Sequence, residues 1–100
     1  MAIERSESAG QWQLTLSGVV GVAQARELAD HARAVAREGG GDVVVSLRDV
    51  RALDTAAAQV LLALRRALVG QGRALCIVGV SPTVAERWQR AGLFTELGLA

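Results

Sequence analysis

Two glycine-rich breaks, Gly39-Gly40-Gly41 and Gly70-Gln71-Gly72, constrain this chain more than any other feature. Each separates a segment of helical period from a run with the character of a buried strand. Glycine is a poor helix former that enters left-handed backbone freely, so each break ends the helix before it. Val22 to Glu38 places Ala25, Leu28, Ala29, Ala32, Val35 and Ala36 at helical spacing, with Gln24, Arg26, Glu27, Asp30, Arg33 and Arg37 on the other face. Asp42 to Leu47 then holds Val43-Val44-Val45, the β-branched run expected of a central strand covered on both faces. The unit recurs with a helix from Thr55 to Val69 and a second buried strand, Leu75 to Val78, within Ala74 to Val80. Strands separated by helices are joined by crossovers and run parallel.

The remaining segments complete one domain. Ala2 to Glu7 and Gln11 to Ser17 flank Ser8-Ala9-Gly10, and Trp12, Leu14 and Leu16 alternate with polar residues, which predicts a hairpin of half-buried strands. Gly18 to Gly21 encloses a Val pair. Near the C-terminus, Ser81-Pro82 states a helix start, because Ser caps well and the missing N–H of Pro costs nothing at the first helical position. Val84, Trp88 and Ala91 share one face of that helix, Gly92-Leu93 stops it, and Phe94 and Leu97 are expected to close the core. The order β-β-α-β-α-β-α predicts a single α/β domain over 1–100, with a mixed open sheet and interspersed helices. The 100 residues leave little room for an enclosed substrate pocket.

The segment Leu53-Asp54-Thr55-Ala56-Ala57-Ala58-Gln59 carries the most chemistry. Asp54 is a favoured N-cap, since its carboxylate can accept from the free N–H groups of the first turn. Thr55 then lies where unpaired N–H groups and the positive end of the helix dipole welcome negative charge, so a phosphate there would cost the helix little. Asp-Thr is also a common helix start for purely structural reasons.

The order of these motifs resembles the STAS domain family, the anti-sigma-factor antagonists and their relatives, over nearly the whole chain from Ile3 to Leu99. The likeness rests most on Val50 to Leu62, where the family has a hydrophobic residue, Asp-Ser or Asp-Thr, a small residue and an apolar helix; Leu75 to Gly79 and Ala91-Gly92-Leu93 agree. Two positions depart from the pattern: Ala57 stands where the family commonly has Gly, and Ser46 where it often has Asp. The resemblance implies that Thr55 is phosphorylated by a switch kinase, cleared by a phosphatase, and controls docking to an anti-sigma factor. It also admits a constitutive accessory subunit that contacts the ATPase of a phospholipid transporter, or a small-molecule or nucleotide-binding sensor.

Helical geometry adds a docking expectation. At about 100° per residue, Ala57, Val60, Leu61, Leu64, Ala67 and Leu68 fill one arc toward the sheet. Ala58, Leu62 and Val69 fall outside it, on the side of Thr55 and Gln59. Asp54, Thr55, Ala56, Ala58, Gln59 and Leu62 are therefore expected to form a partner-binding patch, with Arg48 and Arg51 able to pair with a phosphate on Thr55. The alternative is that an adjoining helix of the same domain covers the flank.

Other function classes find little support. A net charge of +1 supplies no field for nucleic acid or an anionic membrane, and every basic side chain is Arg. The lone Cys76 excludes an internal disulfide and reads as a strand-interior, inert small hydrophobe, which fits a reducing, cytoplasmic compartment. His31, on the polar face of the first helix, reads as a surface residue without the companions of a metal site or general base. Asp49 and Asp54 are better explained as loop polarity and helix cap than as a Mg²⁺ or acid–base pair. Trp12 and Trp88 are expected in the core. No cofactor, metal, catalytic group or membrane span is expected.

Overall fold

The computed structural model describes residues 2–98. A four-stranded sheet is ordered as in the sequence, with β1 (Ala2–Ser8), β2 (Gln11–Val20), β3 (Val43–Leu53) and β4 (Leu75–Val78). β1 pairs antiparallel with β2, whereas β2, β3 and β4 are parallel. Between the parallel strands lie α1 (Val22–Glu38) and α2 (Thr55–Gly70), and α3 (Pro82–Arg90) and the short α4 (Leu93–Glu96) follow β4. The expected mixed α/β architecture is therefore present. The hairpin turns at Ala9 and Gly10, both at positive φ (53° and 79°), which matches the twist of the strands it joins.

The helices cover one face of the sheet. Ile3, Trp12, Leu14, Leu16, Val43, Val45 and Ile77 point into a core shared with Ala25, Leu28 and Val35 of α1 and Leu61, Leu64 and Leu68 of α2. Each large aliphatic side chain buried there contributes roughly 1.5–3 kcal/mol. On the opposite face Glu4, Ser6, Gln13 and Cys76 are exposed, and Thr15, Val44 and Val78 are half-buried. This corrects two expectations. Val43-Val44-Val45 is covered on one face only, and Cys76 is exposed on an edge strand, because β4 has β3 as its one partner. The β-branched run reflects central pairing in the sheet and not enclosure between layers.

β2 and β3 also extend beyond the segments expected of them. The register shifts at Thr15/Ser17 and at Gly18/Val19, β3 carrying one extra residue each time, so the pair bends there while β2, with Gly18 at φ 77°, continues to Val20. Arg48 to Leu53, expected to lead as a connection into the helix, follows that bend as the second half of β3. Both long strands consequently end beside the start of α2.

The first helix is capped locally at its N-terminus and by distant chain at its C-terminus. Gln24 Oε1 accepts from Gly21 N at 3.0 Å, closing the N-terminus. At the C-terminus Gly39 and Gly40 are at positive φ, and Gly41 N donates to Gly10 O at 2.6 Å with no room for a Cβ. The buried Arg73 donates from Nε to Gly41 O (2.8 Å) and from Nη1 and Nη2 to Val35 O and Gly39 O (3.2 and 3.3 Å); Nη1 also reaches Gln71 Oε1 at 2.7 Å. Trp12 Nε1 shares Gly39 O at 3.0 Å, and Gln71 Nε2 takes Ala36 O at 3.1 Å. A buried cation is here satisfied by helix-end carbonyls, which carry partial negative charge.

In the C-terminal segment, Ser81 Oγ accepts from Val84 N at 3.2 Å and Pro82 occupies the first turn of α3. Val84, Trp88, Leu93 and Leu97 are buried, while Ala91, expected on the same face, is exposed at the cap of α3. The side chain of Phe94 lies outside the described residues. His31 is half-buried, with its Nδ1 enclosed and without a hydrogen-bond partner among the described residues, so it is not the surface residue expected.

Candidate functional site

The C-terminal ends of β2 and β3 meet the N-terminus of α2. Asp54 N donates to Val20 O at 2.8 Å, which ties the cap to the end of β2. With its backbone extended, Asp54 accepts from Ala56 N through its carboxylate (2.8 Å) and from Ala57 N and Ala58 N through its carbonyl (3.0 and 3.2 Å). The cap is thus fixed by both its backbone and its side chain. Thr55 follows as the first helical residue and is exposed; Gln59, one turn later, is exposed as well. Apart from the cap, the first turn of α2 contains no acidic residue, so the positive end of the helix faces solvent beside the Thr55 hydroxyl.

The expected patch is only partly present. Asp54 and Ala56 are half-buried, but Ala58 and Leu62 are 0% and 5% exposed and belong to the core. The buried arc of α2 comprises Ala57, Ala58, Leu61, Leu62, Leu64 and Leu68, turned from the expected arc so that Val60 is half-buried and Ala67 exposed. The cause lies on the stripe through Ala58, Leu62 and Arg65, which faces the C-terminal segment: Arg65 Nη1 donates to Glu96 O at 3.0 Å, and Arg66 and Glu96 are 3.7 Å apart. An adjoining helix of the same domain covers the flank. Val69, at 57% exposed, does remain open as expected.

Two apolar residues stand open at the strand ends instead. Val19, the register partner of Ala52, is 52% exposed, and Val22, the first residue of α1, is 60% exposed. The signal for Val19 was its parity: it falls in step with Gln13, Thr15 and Ser17, the solvent-facing positions of β2, and not with Trp12, Leu14 and Leu16. Arg48 and Arg51 are exposed and make no ion pair among the described residues. Gly79, at φ 74°, lies directly on Arg48, where an added Cβ would be 2.8 Å from the Arg48 nitrogen. Arg51 sits beside Thr83 and Arg87. Ser46 is buried at mid-sheet between Thr15 and Val78, well before the cap along β3, and the Cβ of Ala57 is fully buried.

Among the described residues, no group of three or more His, Cys, Asp or Glu side chains is close enough to hold a metal ion. A cavity of about 180 Å³ is a groove between α1 and α2 lined mainly by Ala29, Ala32, Ala36, Val60, Ala63 and Ala67. No helix among the described residues is long and apolar enough to cross a membrane.

A one-layer helical cover on a mixed sheet, with a capped hydroxyl residue at the strand ends, defines a class of small α/β domains. A family model described as the Mlab STAS domain matches residues 3–98, and this chain belongs to the STAS domain family. No curated protein matches the chain at the sequence level. Its fold is similar to that of an anti-sigma factor antagonist from Mycobacterium paratuberculosis, with TM-score 0.83, 20% identity, and coverage of 94% of this chain and 80% of that one. The phosphorylated form of the Bacillus cell fate determinant SpoIIAA gives 0.78, 14%, 94% and 86% in the same order. A sulfate transporter family protein from Wolinella succinogenes gives 0.77, 20%, 91% and 74%.

Proposed function

We propose that this chain is a non-catalytic protein-interaction domain of bacterial signalling, similar in role to anti-sigma-factor antagonists, and that phosphorylation of Thr55 controls its docking. The observation that carries this reading is the exposed Thr55 hydroxyl at a helix start whose cap is already satisfied by Asp54. A phosphate there adds close to two negative charges at pH 7 without displacing any internal hydrogen bond of the cap. The partner surface comprises Thr55 and Gln59 with Val19 and Val22 beside them, and Ala56 and Asp54 at its edge. Placed at this partly apolar surface, the charge weakens docking through desolvation, so the unphosphorylated form is the one that binds an anti-sigma factor. Arg48 and Arg51, free of carboxylate partners among the described residues, are the cations nearest in sequence to receive the phosphate.

The test is intact-mass measurement after incubation with the cognate switch kinase. The expected result is one phosphate on the wild type and none on Thr55→Ala; a phosphate retained on Thr55→Ala, or none on the wild type, contradicts the reading. The match to the Mlab STAS model favours a second reading, in which the same surface is a constitutive contact on the ATPase of a phospholipid transporter. In that case Thr55→Ala weakens ATPase binding although no phosphate is ever found.

A further inference from the structure

We propose that a cleft between the end of β3 and α3 is a binding site for a phosphate group, carried by a free ion or a small phosphate monoester. Arg51, Ala52, Leu53, Thr83, Val84 and Arg87 line a cavity of about 40 Å³, room for a few water-sized groups. Thr83 and Arg87 are one helical turn apart and lie on the same stripe of α3, while Arg51 approaches from β3. The two guanidinium groups bring like charge to one small cleft, yet neither has an ion-pair partner among the described residues. Their neighbour Arg90, by contrast, is neutralised by Glu86 at 2.6 Å. An anion in the cleft would supply the counter-charge that both lack.

The rest of the cleft suits the same ligand. Its floor is Leu53 and Val84, at 2% and 6% exposed, and an apolar floor strengthens charge-assisted hydrogen bonds made above it. The rim opens on the first turn of α3, where Pro82 has no N–H and Val84 N is taken by Ser81 Oγ, so the N–H and hydroxyl of Thr83 are the donors left for an anion, aided by the helix dipole. Two arginine forks match the several oxygens of a phosphate dianion better than the two of a carboxylate. Arg51 is shared with the reading of Thr55, but Thr83 and Arg87 have no part in it, so variants of these two residues test this site separately.

The experiment is a titration of the ¹⁵N-labelled full chain at constant ionic strength, with inorganic phosphate, O-phosphoserine and acetate as probes. Saturating shifts confined to the amides of Ala52, Thr83 and Val84 with a phosphate probe, and weaker ones with acetate, are expected. Arg87→Gln, a substitution at an exposed position, should weaken that binding about tenfold, whereas Thr55→Ala leaves it unchanged. Tighter binding of O-phosphoserine assigns the site to a monoester, and tighter binding of inorganic phosphate assigns it to the free ion. Shifts that do not saturate, that spread over every arginine, or that survive Arg87→Gln at full strength would overturn the proposal.

Discussion

The two ends of the parallel strands are built on opposite principles. At the end where β3 and β4 begin, Arg73, Gln71 and Trp12 converge on the last carbonyls of α1, and Gly41 is pressed against Gly10. At the end where β2 and β3 finish, the cap is satisfied but its surroundings are left open, with Thr55 and Gln59 exposed beside Val19 and Val22. Open parallel sheets generally present ligands and partners with the C-terminal ends of their strands. One end here holds the fold together, and the other is free to make contacts. Substitutions at the closed end should therefore act on stability, and those at the open end on binding.

The largest expected effect tests where the boundary between these regions runs along α2. Leu62→Asp buries a carboxylate at a position only 5% exposed, and should cost more than about 4 kcal/mol in urea unfolding or prevent folding. A stable, folded Leu62→Asp would return this flank to the docking surface. Arg73→Met at the closed end removes the donors to Val35, Gly39 and Gly41 together, and should cost roughly 3 kcal/mol by the same measurement. Asp54→Ala, which removes one cap hydrogen bond, should cost about 1 kcal/mol. Thr55→Ala should change stability by no more than about 0.5 kcal/mol, because its side chain is exposed, while it alters partner binding. A loss at Thr55 as large as that at Arg73 would erase the distinction between the ends.

Much of the architecture was legible because local chemistry fixes it. Asp54 and Ser81-Pro82 announced their helices through capping groups that act within one turn, and the glycine breaks separated helix from strand. What the sequence hid depends on neighbours distant along the chain. Helical spacing gives an apolar arc on α2, but the position of the C-terminal segment decides that Ala58 and Leu62 are covered while Ala67 is open. A β-branched run is the same whether a strand is covered once or twice, so the open face at Val44 and Cys76 was not visible. Arg73 reads as an ordinary loop arginine until the end of α1 is brought against it. Nothing in Arg48 to Leu53 gave a sign that two bulges would carry β3 along β2 to the cap.

The most direct test of the open end as the interaction surface is amide hydrogen exchange of the full chain, alone and with its cognate anti-sigma factor. Added protection should fall on residues 19–22 and 54–59, with none at 39–42 or 71–74. Added protection at 39–42 and 71–74, with 54–59 unchanged, would contradict the account.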